Sequence, residues 1–271
     1  MQYTKVKIIT DQQEIVSAFL QDYPFESFEE TEEGVNAYLP SKEMNKSIEL
    51  GLNELKDRFH FTFSQEEIQP ENWNALWESN FTPILVDDFC GIRADFHDPL
   101  TEVKHEIVIN PRMAFGTGHH ETTFMVMQAM RNLNFKNTKV LDYGCGTGIL
   151  AILAAKLGSL EIVGVDIEAP AVENTIDNLH INQISGVKVL EGTLDQVKDG
   201  DYDIILANIN RNVILATLPS LYLKLKQGGT LLVSGFIKED ANLLQENAES
   251  AGFIYQDKWQ RNNWISMAFT R

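Results

Sequence analysis

Two carboxylates, a run of alternate glycines and one asparagine carry the clearest chemistry in this chain. The stretch LDYGCGTG, residues 141–148, presents Asp142, Gly144, Gly146 and Gly148. Glycines at alternate positions let a backbone turn tightly and approach a ligand closely. Asp166 closes a later apolar run, GVDIE, at position 166 − 144 = 22 after Gly144. A carboxylate there can accept a hydrogen bond from each of two ribose hydroxyls. The segment LANINRN supplies Asn208, whose side chain can accept a hydrogen bond from an amine and orient it. The alternative is that Asn208 only makes a turn at a strand end.

Two classes of nucleotide ligand suit such a layout. Dinucleotides need G-x-G-x-x-G, so that a pyrophosphate rests on a helix N-terminus. Here Ile149 stands where the last glycine of that pattern would be, and Asp142 precedes the first glycine by two residues. A carboxylate beside a pyrophosphate repels it, whereas beside an ammonium and a sulfonium it is favourable. S-adenosylmethionine carries both cations. A nicotinamide-dependent oxidoreductase is the weaker reading, and a non-catalytic binding protein on the same scaffold is the other alternative.

The segment MAFGTGHHETT, residues 113–123, adds glycines, two histidines and three threonines. His119 and His120 are adjacent, so on a regular element they point apart and do not form a metal pair. Neither H-E-x-x-H nor G-x-x-x-x-G-K-[ST] is present, and no metal site is expected. ETTFMVMQAMRNL is helical in spacing, with Phe124, Met127 and Met130 on one stripe. Thr122 and Thr123 fall at its start, where free N–H groups and hydroxyls suit a carboxylate such as the amino-acid end of that cofactor, the alternative being an N-cap with no ligand.

The elements that must position these residues alternate from residue 138 onward. KVLDYG, EIVGVDI, VKVLEG, DYDIILANI and GTLLVSGF read as strands, with helical segments such as GILAILAAKLG and APAVENTIDNLHIN between them. That is a mostly parallel sheet covered on both faces, with ligands at the carboxyl ends of its strands. The last two strands, GFIYQDKWQ and WISMAFTR, form an antiparallel edge. PILVDDFCGIRADF and HEIVIN are further strands ahead of the sheet. Residues 1–66 read differently, as βαββαβ, a ferredoxin-like plan. Its first helix places Ile15, Phe19 and Leu20 inward; its second starts at a Ser41 cap and buries Met44, Ile48, Leu52 and Leu55. A linker helix is expected over 67–80, with Trp73 and Trp77 four apart, followed by the catalytic domain over 81–271.

Composition bounds the function. The formal net charge is −17, from 39 acidic and 22 basic residues, with no Lys/Arg-rich run, so no direct nucleic-acid contact is expected; such charge attracts a basic partner, the alternative being that it only keeps the protein soluble. The two cysteines, Cys90 and Cys145, make no disulfide framework and fit a reducing compartment. No stretch reaches the roughly 18 apolar residues of a membrane span, and the first residues lack a signal-peptide layout. A cytoplasmic, membrane-free monomer is expected.

MAFGTGHHETT, VLDYGCGTGILAI, GVDIEAPAVENTIDN and ILANINRNVI together resemble the ribosomal protein L11 methyltransferases, the PrmA family. WNALWESNF also resembles that family's W-x-x-x-W segment. The resemblance covers residues 73 to 271. It implies a Rossmann-like class I S-adenosylmethionine-dependent methyltransferase domain behind a substrate-recognising ferredoxin-like α+β domain. It implies that Thr123, Gly144, Asp166 and Asn208 contact the cofactor. It implies methylation of lysine side chains and the N-terminal amine of a basic ribosomal protein. Arg112 and the sequence RNNWISM depart from the family's usual residues.

Overall fold

The computed structural model describes residues 3–20, 23–31, 33–68, 82–110 and 120–271. Trp73, Trp77, Arg112 and His119 lie outside the described residues, as does the linker helix expected over 67–80 except for Glu67 and Ile68, which instead end a strand of the first unit. The chain divides into two compact units, Met1–Ser79 and Asn80–Arg271.

In the first unit β1 (Tyr3–Ile9), α1 (Gln13–Leu20), β2 (Ser27–Thr31), β3 (Gly34–Pro40), α2 (Lys46–Phe59) and β4 (Thr62–Ile68) follow in order. The strands form an antiparallel sheet in the order β2-β3-β1-β4. Strand alternation puts Val6 and Ile8 inward, against Leu20, Leu52 and Phe61. Two local expectations fail. The helix α2 is capped by Asn45, whose side chain accepts from the N–H groups of Ser47 and Ile48, and not by Ser41, which lies in a separate 3-10 turn. A carboxamide oxygen at the N-cap takes up two of the donors that a helix start leaves free, so the helix begins there. In α1 Leu20 is buried and Phe19 packs on the core as expected, but Ile15 is exposed and Val16 takes its place.

The second unit opens with β5 (Ile84–Val86), β6 (Cys90–Ala94) and β7 (His105–Ile109), a separate small sheet in which β6 and β7 are parallel. Helix α3 (Glu121–Met130) follows. Then β8 (Lys139–Tyr143), α4 (Ile149–Lys156), β9 (Glu161–Asp166), α5 (Ala169–Ile181), β10 (Val187–Glu191), β11 (Tyr202–Asn208), α6 (Arg211–Lys224), β12 (Leu225–Ile237), α7 (Ala241–Ser250), β13 (Ile254–Arg261) and β14 (Trp264–Thr270) complete it. The main sheet has the order β10-β9-β8-β11-β12-β14-β13. All neighbours are parallel except β12–β14 and β14–β13, the antiparallel edge. From β8 the chain steps outward through β9 and β10, then returns to lay β11 on the other side of β8. The order therefore reverses between β8 and β11, and a crevice opens at their carboxyl ends.

Helix α4 is apolar all round, and Ile149 through Ala154 are all buried. Helix α5 carries a polar stripe that points inward instead: Asn174, Thr175 and Asn178 are fully buried. Asn178 Nδ2 donates to the Thr147 carbonyl at 2.8 Å, and its Oδ1 accepts from Asn110 N–H at 2.7 Å. Thr175 Oγ1 donates to the Gly146 carbonyl at 2.8 Å. One turn further on, Asn182 bonds both the N–H and the carbonyl of Val108 in β7. Helix α5 thus fastens the glycine loop on one side and β7 on the other. Removing Asn178 leaves a buried carbonyl without its donor. Asn178→Ala should lower the unfolding free energy by about 1–3 kcal/mol, measured by urea denaturation. A change under about 0.5 kcal/mol would mean that the loop holds itself.

Candidate active site

The reversal point collects the predicted residues from three strands. Gly144 begins the loop after β8, Asp166 ends β9, and Asn208 ends β11. Thr123 reaches them from α3.

The loop from Gly144 to Gly148 is shaped by backbone that other residues rarely adopt: φ is +76° at Gly144, +56° at Gly146 and +77° at Gly148. A Cβ at Gly144 would lie 2.1 Å from Ile209 Cγ2. A Cβ at Gly235, at the bulge near the end of β12, would lie 2.1 Å from the Ile209 carbonyl oxygen. Ile209, the residue after Asn208, is therefore seated between two glycines from the flanking strands.

Asp166 receives the loop. Its Oδ2 accepts from Gly146 N–H at 2.9 Å and its Oδ1 from Glu168 N–H at 3.1 Å. A carboxylate has about four acceptor sites. Two of them are used by backbone, so lone pairs remain for two further donors. That donor set fits a ribose diol. Where a dinucleotide site has its last glycine, Ile149 is buried in the first turn of α4.

Asp142 takes a different place from the one its position suggested. It is 1% exposed and accepts from the Ala151 N–H of α4 at 3.0 Å. It braces the strand-to-helix turn from beneath rather than standing open beside a ligand's cations. Burial pushes its carboxyl up to about 7, the Ala151 N–H opposes that, and the charge of Asp166 adds to it. Both cysteines are buried, and burial pushes both thiols up to about 12, so neither is a nucleophile at neutral pH.

Asn208 Nδ2 donates to Thr123 Oγ1 at 3.0 Å, which ties the sheet to α3. The two residues are 85 apart in sequence. One of the two Nδ2 hydrogens is thus used, and the Oδ1 is the end that can accept. The expectation of free hydroxyls at the start of α3 is corrected here. Thr122 and Thr123 are both buried; Thr122 bonds the His120 ring through both its N–H and its hydroxyl, and Thr123 accepts from Asn208. The cap of α3 is His120, whose ring packs edge-on against Trp264 at 4.5 Å. Glu121 holds the β13–β14 turn through Arg261 and through Asn262 at 2.6 Å. Among the described residues no group of three His, Cys, Asp or Glu side chains could hold a metal ion, and no helix is long and apolar enough to cross a membrane.

The buried stripe Asn174, Thr175, Asn178 went unread in the sequence, although polar residues at helical spacing on an otherwise apolar face are its signal. Trp264 gave no local signal at all.

The family model described as ribosomal protein L11 methyltransferase (PrmA) matches residues 3–271. The chain belongs to this family. A ribosomal protein L11 methyltransferase of Porphyromonas gingivalis is 41% identical over 261 residues, covering 95% of this chain and 90% of that protein. One from Phocaeicola vulgatus is 37% identical over 263 residues, covering 94% and 92%. The crystal structure of a ribosomal protein L11 methylase from Lactobacillus delbrueckii subsp. bulgaricus superimposes with a TM-score of 0.66 at 27% identity, over 70% of this chain and 99% of that one. The PrmA match includes residues 3–66, a part of the chain whose sequence resembles the family only through its βαββαβ plan.

The Asp142 environment has a measurable consequence. The folded chain keeps this proton between about pH 4 and about 7, where the unfolded chain has already lost it. The unfolded state then binds fewer protons, so this group makes stability fall as pH rises through that window. Asp142→Asn removes the titration. Its stability relative to the parent should grow as pH rises from about 4 to about 7 and level off above, as followed by denaturant midpoints. A difference flat in pH would show that Asp142 is ionised throughout.

Proposed function

We propose that this protein is an S-adenosylmethionine-dependent methyltransferase that methylates lysine side chains and the N-terminal amine of ribosomal protein L11. The observation that carries the reading is the Asn208–Thr123 bond at the strand-order reversal, with β8 alone between the strand of Asn208 and that of the ribose-type carboxylate of Asp166. Membership of the PrmA family supports it, as do the names of the relatives. Asp166 binds the cofactor's ribose, Gly144 lets the chain pass close to it, and Thr123 and Asn208 border it. S-adenosylmethionine supplies a methyl group already activated on a sulfonium leaving group.

The protein's task is positioning. Lining up nucleophile and methyl can contribute about 7–11 kcal/mol in favourable cases. The attacking amine must be neutral, although a free lysine has a pKa of about 10.4. Burial in the crevice favours the neutral form. Asn208 Oδ1 accepts a hydrogen bond from the neutral amine and turns its lone pair toward the crevice. Thr123 fixes which end of the Asn208 amide faces that amine. No dedicated base is required, since the proton can leave to solvent before attack.

The net charge of −17 suits capture of a basic ribosomal protein and gives no footing for nucleic acid. The first 66 residues serve as a ferredoxin-like substrate-recognition domain whose last strand runs on to Ile68, the rest of residues 67–80 as a linker helix and residues 81–271 as the catalytic domain. The protein works as a cytoplasmic monomer.

Incubation of the purified protein with labelled S-adenosylmethionine and purified L11, followed by mass mapping, tests the reading. Label should appear on lysine and α-amine nitrogens, and unlabelled L11 would refute it. Asn208→Ala should lower kcat at saturating cofactor by about 10²-fold or more, while cofactor affinity changes far less, because the contact to the amine is made chiefly in the transition state. Weaker cofactor binding with full turnover at saturation would make Asn208 a cofactor contact only. A chain starting at residue 80 should bind the cofactor as the full chain does but methylate L11 poorly in a filter-binding assay. Equal rates would remove recognition from the first unit.

A further inference from the structure

A cavity of about 210 Å³ opens beside the site, lined among others by Arg211, Gly235, Phe236, Asp240 and Trp264. It is joined to the reacting end twice. Gly235 lies against the Ile209 carbonyl, one residue beyond Asn208, and Trp264 packs on His120, which caps the helix bearing Thr123. Phe236 is buried in the core, so the aromatic surface here is that of Trp264; an aromatic ring with a carboxylate nearby is a receptor for an alkylammonium, since methylenes lie along the ring and the ammonium meets the acid. The acid is Asp240, whose side chain is only 19% exposed. A cation of this chain already sits there, because Arg211 Nη1 donates to Asp240 Oδ1.

Arg211 is held in a place that otherwise disfavours it. It is the first residue of α6, where the helix dipole opposes a positive charge. Its Nε and Nη2 both donate to Asn212 Oδ1, at 3.0 and 2.9 Å, so it keeps two bonds if it gives up Asp240. The neighbouring Glu239 is bonded by Asn263 Nδ2 at 3.3 Å and is not part of the exchange.

We propose that this cavity captures the substrate's alkylammonium group, with Asp240 as the acceptor and Arg211 as the internal cation that the substrate displaces. This rests on the amine-methylating reading above and names specificity-determining residues for it. Capture and attack are separate places. An ion pair with Asp240 holds the amine protonated, whereas Asn208 needs it neutral. The cavity therefore selects alkylammonium side chains on entry, and the proton is lost on moving toward Asn208.

The test compares the full-length parent with Asp240→Asn, Asp240→Glu and Arg211→Gln, in steady-state methylation of purified L11 at saturating S-adenosylmethionine. Asp240→Asn should raise KM for L11 about tenfold, more than it lowers kcat, and Asp240→Glu should recover part of that loss. Arg211→Gln removes the competitor and should lower KM about threefold. The opposite directions are the signature. If both neutral variants raise KM alike, the pair is only a structural clasp and the proposal is wrong; an unchanged KM in Asp240→Asn also overturns it. A parent that transfers no methyl to L11 would be a failure of the functional reading instead. The cavity is then judged by titrating n-butylammonium chloride and following the Gly235 amide by NMR. Saturable shifts in Arg211→Gln that vanish in Asp240→Asn support the subsite, and their absence in Arg211→Gln overturns it.

Discussion

The seating of Ile209 between Gly144 and Gly235 sets the geometry on which the rest of the site depends. Three neighbouring strands, β8, β11 and β12, end within reach of this one side chain and its carbonyl. Where a Cβ would stand at Gly144 there is an Ile209 methyl, and where one would stand at Gly235 there is the Ile209 carbonyl oxygen. Both glycines also have positive φ, at +76° and +101°. Any other residue at either position meets strain from its own backbone and a collision at once. The Ile209 N–H is fixed as well, donating to the Ser234 carbonyl at 3.1 Å. A residue pinned on both sides leaves its predecessor little freedom, and that predecessor is Asn208. The orienting amide owes its position to close backbone approach, and the bond to Thr123 then fixes only its rotation.

Polar groups beneath the loop make that approach durable. A left-handed glycine turn exposes carbonyls and N–H groups that sheet and helix do not satisfy. Here the Gly146 and Thr147 carbonyls are taken by Thr175 and Asn178, the Gly144 N–H by the Val165 carbonyl, and the Gly146 N–H by Asp166. Each of these groups would otherwise carry a desolvation penalty. Asp142 belongs to the same framework. Its role under the turn also explains why an acid is tolerated in a wholly buried place: it meets a helix N-terminal N–H and is readily kept protonated. A network with most of its groups bonded is rigid, and it loses more than one bond's worth when a member is removed; the buried Asn174 Nδ2 is the group in it left without a partner.

Much of this was legible in the sequence because the signals are local. Strand and helix alternation follows from hydrophobic spacing, and the glycine run and Asp166 follow from residues that few other backbones would need. What could not be read there depends on partners brought from far along the chain. Thr122 and Thr123 look like free donors at a helix start until His120 and Asn208 occupy them. Asp142 looks like a ligand contact until the fold turns it toward Ala151. Ser41 is the cap the sequence suggests, but residues 41–43 form their own 3-10 turn and Asn45 caps the helix instead. The inward stripe of α5 is ordinary amphipathic text unless one knows that a loop of carbonyls lies under it. Trp264 acquires meaning only through His120, 144 positions earlier, as 264 − 120.

That last pairing shows how the far edge of the sheet reaches the chemistry. The β13–β14 turn grips the first turn of α3 by three contacts of different kinds. Glu121 accepts from Arg261 and Asn262, the Arg261 guanidinium lies 3.7 Å from the centre of the Phe124 ring, and Trp264 meets His120. Arg261 and Glu121 are partly exposed, so their charge attraction alone is weak and screened by salt. The guanidinium stacked on Phe124 adds on the order of 0.5–1 kcal/mol at such a site and does not depend on the carboxylate. The grip therefore survives the loss of any one contact. Its position matters more than its strength. Thr123 lies between Glu121 and Phe124 on the same turn, and it alone among them faces Asn208. An antiparallel hairpin at the sheet's edge holds the outside of α3, and β11 meets the inside. The methyl-transfer crevice is thus bounded by a helix clamped from two directions, and the cavity at Asp240 opens where the same Trp264 forms both part of the clamp and part of the wall.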